Sequence, residues 1–163
     1  MSQQLTSEHV WTDIKKELFA VLGMVTAKGE ARTVGIVYVE DDGKLCISSQ
    51  KQAWQVRHIV QNPHVSLTVP IHKRIPFLPW IKIPAATITF SGKARLLAYD
   101  EASDSVIQKL FRGRAFSQEG QDNLSIIEVM PVGNFITYGV GVSMSEMRDP
   151  QKARGWIVVN GVG

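Results

Sequence analysis

Cysteine is almost absent from this chain of 163 residues, which contains only Cys46. A single cysteine excludes an internal disulfide framework and a multi-cysteine zinc site. Cys46 lies within a predicted strand, where we interpret it as a small buried hydrophobic side chain and not as a nucleophile. The four histidines, at positions 9, 58, 64 and 72, have no metal-ligand spacing. We therefore predict no metal site.

Long apolar runs and dense basic blocks are also missing. No apolar run approaches the roughly 20 residues that a membrane-spanning helix needs, and the first residues, MSQQLTSEHVW, lack the regions of a secretory signal. No cluster of Lys and Arg with interleaved aromatic residues appears, so the usual nucleic-acid signatures are absent. We expect a cytoplasmic protein that has no nucleic-acid partner and does not depend on a membrane. The net charge of +3 still permits an anionic ligand.

Catalytic constellations are missing as well. Linear spacing supports neither a Ser-His-Asp arrangement nor a pair of acid–base carboxylates, so we assign no catalytic residue. The composition, 44% apolar and 20% charged, is ordinary for a globular protein, and this length suits one domain with a substantial core. We predict one domain over residues 1–163, with a less regular tail from about residue 141.

The most informative stretch of the chain runs from Ala31 to Pro63. Its first part, Arg32 to Val39, is rich in β-branched residues and predicts a strand. An Asp-Gly turn follows and leads into a second predicted strand, Leu45 to Ser49. From Gln52 to Gln61 the apolar spacing becomes helical, and Asn-Pro then stops the helix. The stretch therefore predicts a β-hairpin that runs into a short helix.

Polar residues collect where the second strand passes into the short helix. They are Ser48, Ser49, Gln50, Lys51 and Gln52. Backbone N–H groups at a helix N-terminus are unpaired, and the helix dipole favours negative charge there. We expect a bound anion at this junction.

The rest of the chain alternates between strand and helix patterns. Helices are predicted from Thr6 or Ser7 to Gly23 and from Asp100, as the cap, to Phe111, with a polar loop over Gln118–Asn123. Further strands are predicted at Met24–Ala27, Val65–Ile71, Ala86–Leu97, Leu124–Met130, Asn134–Val140 and Trp156–Val159. Gly92 inside one of them indicates a bulge or a barrel bend. About seven strands joined mostly by short turns predict an antiparallel sheet that closes into a barrel.

The segment from His72 to Pro84 is apolar and contains three prolines, which forbid a regular helix or a central strand. Such a segment must be covered. Three interpretations stay open: self-association or packing over the barrel of the same chain, lining a ligand pocket, and contact with a lipid surface.

Several motifs within roughly residues 10 to 140 resemble the pyridoxamine 5′-phosphate oxidase-like family. They are Arg32-Thr33-Val34, Cys46-Ile47-Ser48-Ser49, Gln55 to Ile59, Gln61 to Leu67 and Ile88 to Leu97. The resemblance implies a mainly β (α+β) fold. It would be a split antiparallel β-barrel of about six to seven strands, of Greek-key type, with flanking helices. It also implies a homodimer with two FMN molecules in grooves between the subunits.

The resemblance assigns cofactor-binding positions. An arginine on the first hairpin strand and a pair of residues on the second contact the flavin in that family. Here Arg32, with its neighbour Thr33, takes the first position, and Ser48 and Ser49 take the second. The family holds the phosphate with an Arg/Lys pair at the start of the short helix.

This chain has Trp54 and Gln55 at the positions of that basic pair. Trp54 offers a flat face that suits an isoalloxazine ring. We expect Lys51, Arg57 or an arginine of the partner chain to supply the missing charge. The family's C-terminal substrate-binding arginine motif is not evident, so we do not expect the chain to make pyridoxal phosphate.

The resemblance thus implies an FMN-binding oxidoreductase whose substrate and electron donor are open. In that case the cofactor, and not an acid–base side chain, would supply the chemistry. The alternative is a non-catalytic binding or storage protein with the same split barrel, which binds deazaflavin F420, haem, another flat ligand or no ligand, and the missing basic pair favours it.

Overall fold

The computed structural model describes residues 5–72 and 86–159 of the chain. Among these residues one antiparallel sheet contains eight strands, and five α-helices flank it. The strands are β1 (Phe19–Val25), β2 (Ala31–Val37), β3 (Val39–Asp41), β4 (Lys44–Gln50), β5 (His64–Ile71), β6 (Ala86–Ala98), β7 (Leu124–Tyr138) and β8 (Arg154–Val158). The helices are α1 (Ser7–Lys16), α2 (Trp54–Gln61), α3 (Asp104–Phe111), α4 (Gln118–Asp122) and α5 (Pro150–Ala153).

The sheet curls until its two ends meet at Tyr38. Its strand order is β2-β1-β5-β6-β7-β4-β3, with β8 added to β7. The end strands β2 and β3 are separated in sequence only by Tyr38. The fully buried Tyr38 ring fixes this corner, because its hydroxyl donates a hydrogen bond of 2.6 Å to the backbone carbonyl of Ile14. The resulting half-barrel confirms the predicted mainly β class and antiparallel pairing.

The two strand edges that leave this corner do not pair with each other. Within the part of the chain that the structure describes, β2 pairs only with β1. Beyond Cys46, residues Ile47 to Gln50 of β4 pair only with β7. We call the region between these two unpaired edges the β2–β4 opening. Helix α2 follows β4 directly, and it packs against β1 and β6 through its buried residues Val56 and Ile59.

The main core fills the inside of the curl, and a smaller core lies on the outer face. Phe135 is central to the main core, since the rings of Trp11 and Phe90 each meet it edge-on at 5.4 Å. The smaller core lies beneath α3 and consists of Cys46, Val106 and Ile126. Among the described residues, α3 covers the outer face of β4 at Cys46, whereas Ser48 and Gln50 on the same face are exposed.

The first helix ends earlier than predicted. Helix α1 ends at Lys16, whereas the sequence predicted a helix to Gly23 and a strand over Met24–Ala27. Alternate residues of β1 are buried, and β2 and β5 pair with it on both sides. The apolar residues of β1 have helical spacing, but pairing with two neighbouring strands stabilises the extended conformation instead.

The second predicted helix also begins later than expected. Residues Tyr99–Glu101 form a short 3-10 turn, and the N-cap of α3 is Ser103, not Asp100. The Ser103 hydroxyl accepts a hydrogen bond of 3.2 Å from the backbone N–H of Val106. The polar segment predicted as a loop contains the short helix α4, which Ser117 caps in the same way.

Strand β7 is continuous where two strands were predicted on either side of Pro131. Gly133 takes a positive φ of 76° and allows a bulge, so the chain stays in the sheet. The register of β6 shifts opposite this bulge, between Thr89 and Ser91, just before Gly92. Gly92 itself is required by close packing, because a Cβ there would approach the Val129 side chain to 2.5 Å.

The predicted tail is more regular than expected. Residues Glu146–Arg148 form a 3-10 turn, α5 follows, and β8 starts at Arg154, two residues before the predicted strand. The apolar segment His72–Pro84 falls almost entirely outside the described residues.

Candidate functional site

The start of α2 lies beside the β2–β4 opening and has no side-chain cap. Ala53 occupies the N-cap position and makes no side-chain hydrogen bond. An alanine cannot accept a bond from the first-turn amides, unlike Ser, Thr or Asp. The N–H groups of this turn are therefore available to an anionic or polar ligand group.

A hydrogen bond joins the end of β4 to the first turn of α2. The side-chain amide of Gln55 donates to the hydroxyl of Ser49 at 3.1 Å. Ser49 is buried, whereas the preceding Ser48 is exposed, because successive strand residues point to opposite faces. Two predicted site residues are thus fixed to each other, and the hydroxyl of Ser48 stays accessible.

Trp54 presents part of its ring to the surface at the beginning of α2. It is 37% exposed, and its ring meets that of His58 at 5.6 Å in an edge arrangement. Lys51 and Arg57 lie on either side of Trp54 in sequence, and both are exposed. Neither makes an ion pair with any residue in ranges 5–72 and 86–159. Their positive charges are therefore free to meet a ligand.

Lys51 also borders a small polar depression of about 300 Å³. Tyr99, Asp100, Gln121 and Asp122 are among the residues that line it. The backbone N–H of Lys51 is fixed by the carbonyl of Asn123 at 2.9 Å. This hydrogen bond fixes the backbone of Lys51, whereas its side chain remains exposed.

Arg32 and Thr33 lie on β2, on the other side of the opening. The guanidinium of Arg32 is paired with Glu30 at 2.8 Å. Both residues border a depression of about 390 Å³ that extends across β1, β5 and β6. None of the other predicted site residues lines this depression, so the structure divides the predicted set into two groups.

A row of hydroxyl groups on the outer sheet face was not predicted. Thr33 lies opposite Gly23 in the register, Gly23 lies opposite Ser66, and Ser66 lies opposite Ser91. Gly23 leaves room for this row, since a Cβ there would meet the Ser66 hydroxyl at 2.5 Å. The hydroxyl row, Thr33, Ser66 and Ser91, forms part of the 390 Å³ depression. Alternation along the predicted strands would have placed Ser66 outward, but Gly23 was assigned to the end of a helix.

The described residues offer neither a reactive thiol nor a cluster of metal ligands. Burial raises the pKa of the Cys46 thiol to about 12, and the carboxylates of Glu128 and Asp41 add to this effect. The described ranges contain no group of three or more His, Cys, Asp or Glu side chains that could hold a metal ion. Within the same ranges, no helix is long and apolar enough to cross a membrane.

The family model described as pyridoxamine 5′-phosphate oxidase matches residues 6–134, which is well over half of the chain. The chain belongs to this family. The matched residues include β2, β4 and the whole of α2. No curated protein matches the chain.

Solved structures share the fold of this family member at low sequence identity. A haem-binding protein from Mycobacterium smegmatis has a TM-score of 0.64 at 15% identity; the match covers 85% of this chain and 56% of that protein. HutZ, a haem storage protein from Vibrio cholerae, has a TM-score of 0.58 at 16% identity; the match covers 83% of this chain and 96% of HutZ. An F420 reductase has a TM-score of 0.54 at 17% identity; the match covers 76% of this chain and 93% of the reductase. At these identities the likeness establishes the fold alone.

Proposed function

We propose that this member of the family binds a flavin, with FMN as the first candidate, and acts as an oxidoreductase. The observation that carries the proposal is the β2–β4 opening, which has two unpaired strand edges and the uncapped start of α2 beside it. Six of the eight predicted site residues lie between the end of β4 and the first turn of α2, and the other two, Arg32 and Thr33, lie on β2, where they border the 390 Å³ depression. A flavin would supply the hydride or electron transfer, and the protein would bind and orient it.

The phosphate of FMN would bind at the start of α2. The first-turn amides have no side-chain cap, and Lys51 and Arg57 are exposed on either side of that turn. A charge-assisted bond from either cation would replace the basic pair that this chain lacks. Arg32 would contribute only after giving up its ion pair with Glu30.

The ring system would bind against neutral groups. Trp54 offers a partly exposed aromatic face, and the exposed hydroxyl of Ser48 can donate to or accept from ring oxygens and nitrogens. Gln55 would act indirectly, because its bond to Ser49 holds the first turn of α2 against β4. None of these residues needs to transfer a proton.

We further propose that the protein is a homodimer. Besides Met130, four large side chains on the outer face of β7 and β8 are exposed although they lie in a sheet: Val132, Ile136, Trp156 and Val158. We call them the apolar strip. Ile136 and Trp156 are opposite each other in the register, and Val132 also lines the 390 Å³ depression beside Arg32 and Thr33. A second copy on this strip would therefore cover one side of that depression.

Quenching of flavin fluorescence tests this function. The purified chain should quench FMN on titration, and it should bind riboflavin more weakly, because riboflavin lacks the phosphate. The paired variant Lys51→Gln/Arg57→Gln should reduce FMN affinity to that of riboflavin, whereas Lys28→Gln, in the exposed turn between β1 and β2, should change nothing. Unchanged fluorescence with both flavins would refute flavin binding.

Haem or F420 is the second candidate, and the side chains at 54 and 55 favour it. An indole and a neutral amide stand where the family has a phosphate-binding pair, so the site depends less on a phosphate than a typical FMN site does. Two of the structural neighbours carry haem in their names and a third carries F420. Parallel titrations with haemin and F420, followed by absorbance, separate these ligands from FMN.

A further inference from the structure

A second depression lies on the outer face of the sheet, away from the β2–β4 opening. It has a volume of about 410 Å³, which is within the usual range for small-molecule sites. β4, β6 and β7 form it, and its lining residues are Lys44, Lys93, Ala94, Arg95, Glu128 and Met130. We call it the basic depression. It shares no residue with the predicted cofactor site.

The charges in this depression do not balance. Three cationic side chains and one carboxylate line it, which leaves a net charge of +2. Glu128 is bonded to Arg95 at 2.8 Å and lies 3.6 Å from Lys44. Lys93 makes no ion pair with any residue that the structure describes. The nearby carboxylate of Asp41 does not compensate, because Lys109 already neutralises it at 2.7 Å.

The carboxylate of Glu128, which partly neutralises the depression, also fixes the positions of two of its cationic side chains. The Glu128 side chain is only 14% exposed, and its two oxygens hold Arg95 and Lys44 on neighbouring strands. Arg95 and Glu128 are also opposite each other in the β6–β7 register, so the backbone fixes the spacing of this pair. Two of the three cations are thus positioned before any ligand arrives, which lowers the entropic cost of binding.

One wall of the depression is apolar. Met130 lies opposite Lys93 in the register and is 49% exposed. A flexible thioether side chain of this kind adapts to aromatic or aliphatic groups. The depression therefore pairs a doubly positive region with an apolar surface.

We propose that the basic depression binds a small organic phosphate monoester. Such an ester carries a charge of about −1.5 to −2 near neutral pH, which matches the net charge of the lining. The phosphate would bind between Lys93 and the Arg95–Lys44 pair, and the organic part would pack on Met130. This inference does not depend on the proposed flavin function.

Calorimetric titration with phenyl phosphate tests the proposal, with inorganic phosphate and phenol as comparison ligands. Phenyl phosphate should bind more tightly than either comparison ligand. Lys93→Gln should weaken it by about fivefold or more, through loss of a charge-assisted contact. Met130→Ser should weaken phenyl phosphate but not inorganic phosphate, and Lys28→Gln should leave both affinities unchanged.

Amide chemical shifts give a second readout on the same protein. Addition of phenyl phosphate should shift the resonances of residues 44, 93–95 and 128–130. No detectable binding, or equal weakening by Lys93→Gln and Lys28→Gln, would overturn the site. Equal affinity for phenyl phosphate and inorganic phosphate would overturn the assignment to an organic ester. Because FMN is itself a phosphate monoester, the location of the shifts separates the two proposals: residues 44, 93–95 and 128–130 report the basic depression, and residues 48–57 report the cofactor site.

Discussion

The side-chain amide of Gln55 donates a hydrogen bond of 3.1 Å to the buried hydroxyl of Ser49. This bond connects the first turn of α2 to the end of β4, and so it defines one side of the β2–β4 opening. In the proposed flavin site Gln55 would therefore stabilise the start of α2, and other groups would bind the phosphate.

Restoring a positive charge at this position should tighten FMN binding. Gln55→Lys places an ammonium group at the uncapped start of α2, where a charge-assisted bond to phosphate contributes about 1.5–3 kcal/mol. We expect FMN affinity to rise by about tenfold or more, while riboflavin affinity stays the same or falls. Gln55→Met, which removes the amide without adding charge, is the matched control. Fluorescence titration measures both ligands, and an equal gain for FMN and riboflavin would contradict phosphate binding at α2.

The hairpin-to-helix stretch was the most predictable part of the chain. Strong local signals, the Asp-Gly turn and the Asn-Pro stop, place β4 and α2 within two residues of their predicted bounds. The predicted strand Arg32–Val39 was wrong in one respect: it divides at Tyr38 into β2, which pairs with β1, and β3, which forms the hairpin with β4. The sequence could not show this division, because it depends on which strands pair at the two ends of the sheet. It also misassigned Gly23 to a helix end, and with it missed the hydroxyl row that this glycine makes possible.

The ion pair between Asp41 and Lys109 should make a pH-dependent contribution to stability. Bonds from Lys109 and Ser105 lower the pKa of Asp41 below its ordinary value. The contribution is therefore complete above the unfolded pKa of about 4 and is lost as the pH falls through the lower folded pKa. Asp41→Asn should cost about 0.5–1 kcal/mol near neutral pH, since the pair is partly exposed, and less at lower pH.

Urea unfolding of the wild type and Asp41→Asn over a range of pH values measures this effect. Asp13→Asn, which breaks the exposed pair between Asp13 and Lys16 on α1, is the control and should cost less near neutral pH. A free-energy difference between wild type and Asp41→Asn that stays constant from neutral to strongly acidic pH would show that ionisation of Asp41 is irrelevant.

The apolar strip should carry self-association. Trp156 is 64% exposed and packs beside Ile136 on the outer sheet face. Trp156→Glu would place a charge in the proposed subunit contact, so light scattering should report a monomer for the variant and a dimer for the wild type. Leu18→Glu alters a similarly exposed side chain, 53% accessible, just before β1. This control should remain dimeric, and a dimeric Trp156→Glu protein would place the contact elsewhere.

Cys46 should be unreactive in the folded protein. Burial against α3 raises its pKa to about 12, so the thiolate that reacts is scarce near pH 8. A thiol reagent such as dithionitrobenzoate should label it only after unfolding in urea. Rapid labelling of the native protein would mean that α3 opens readily from the outer sheet face.

The location of the cofactor is tested most directly by amide chemical shifts recorded during addition of FMN to the ¹⁵N-labelled protein. We expect the perturbed resonances to cluster in residues 32–33, 48–51 and 53–57, on the two edges of the β2–β4 opening and at the start of α2. Shifts confined to other segments, or a spectrum unchanged by saturating FMN, would contradict it.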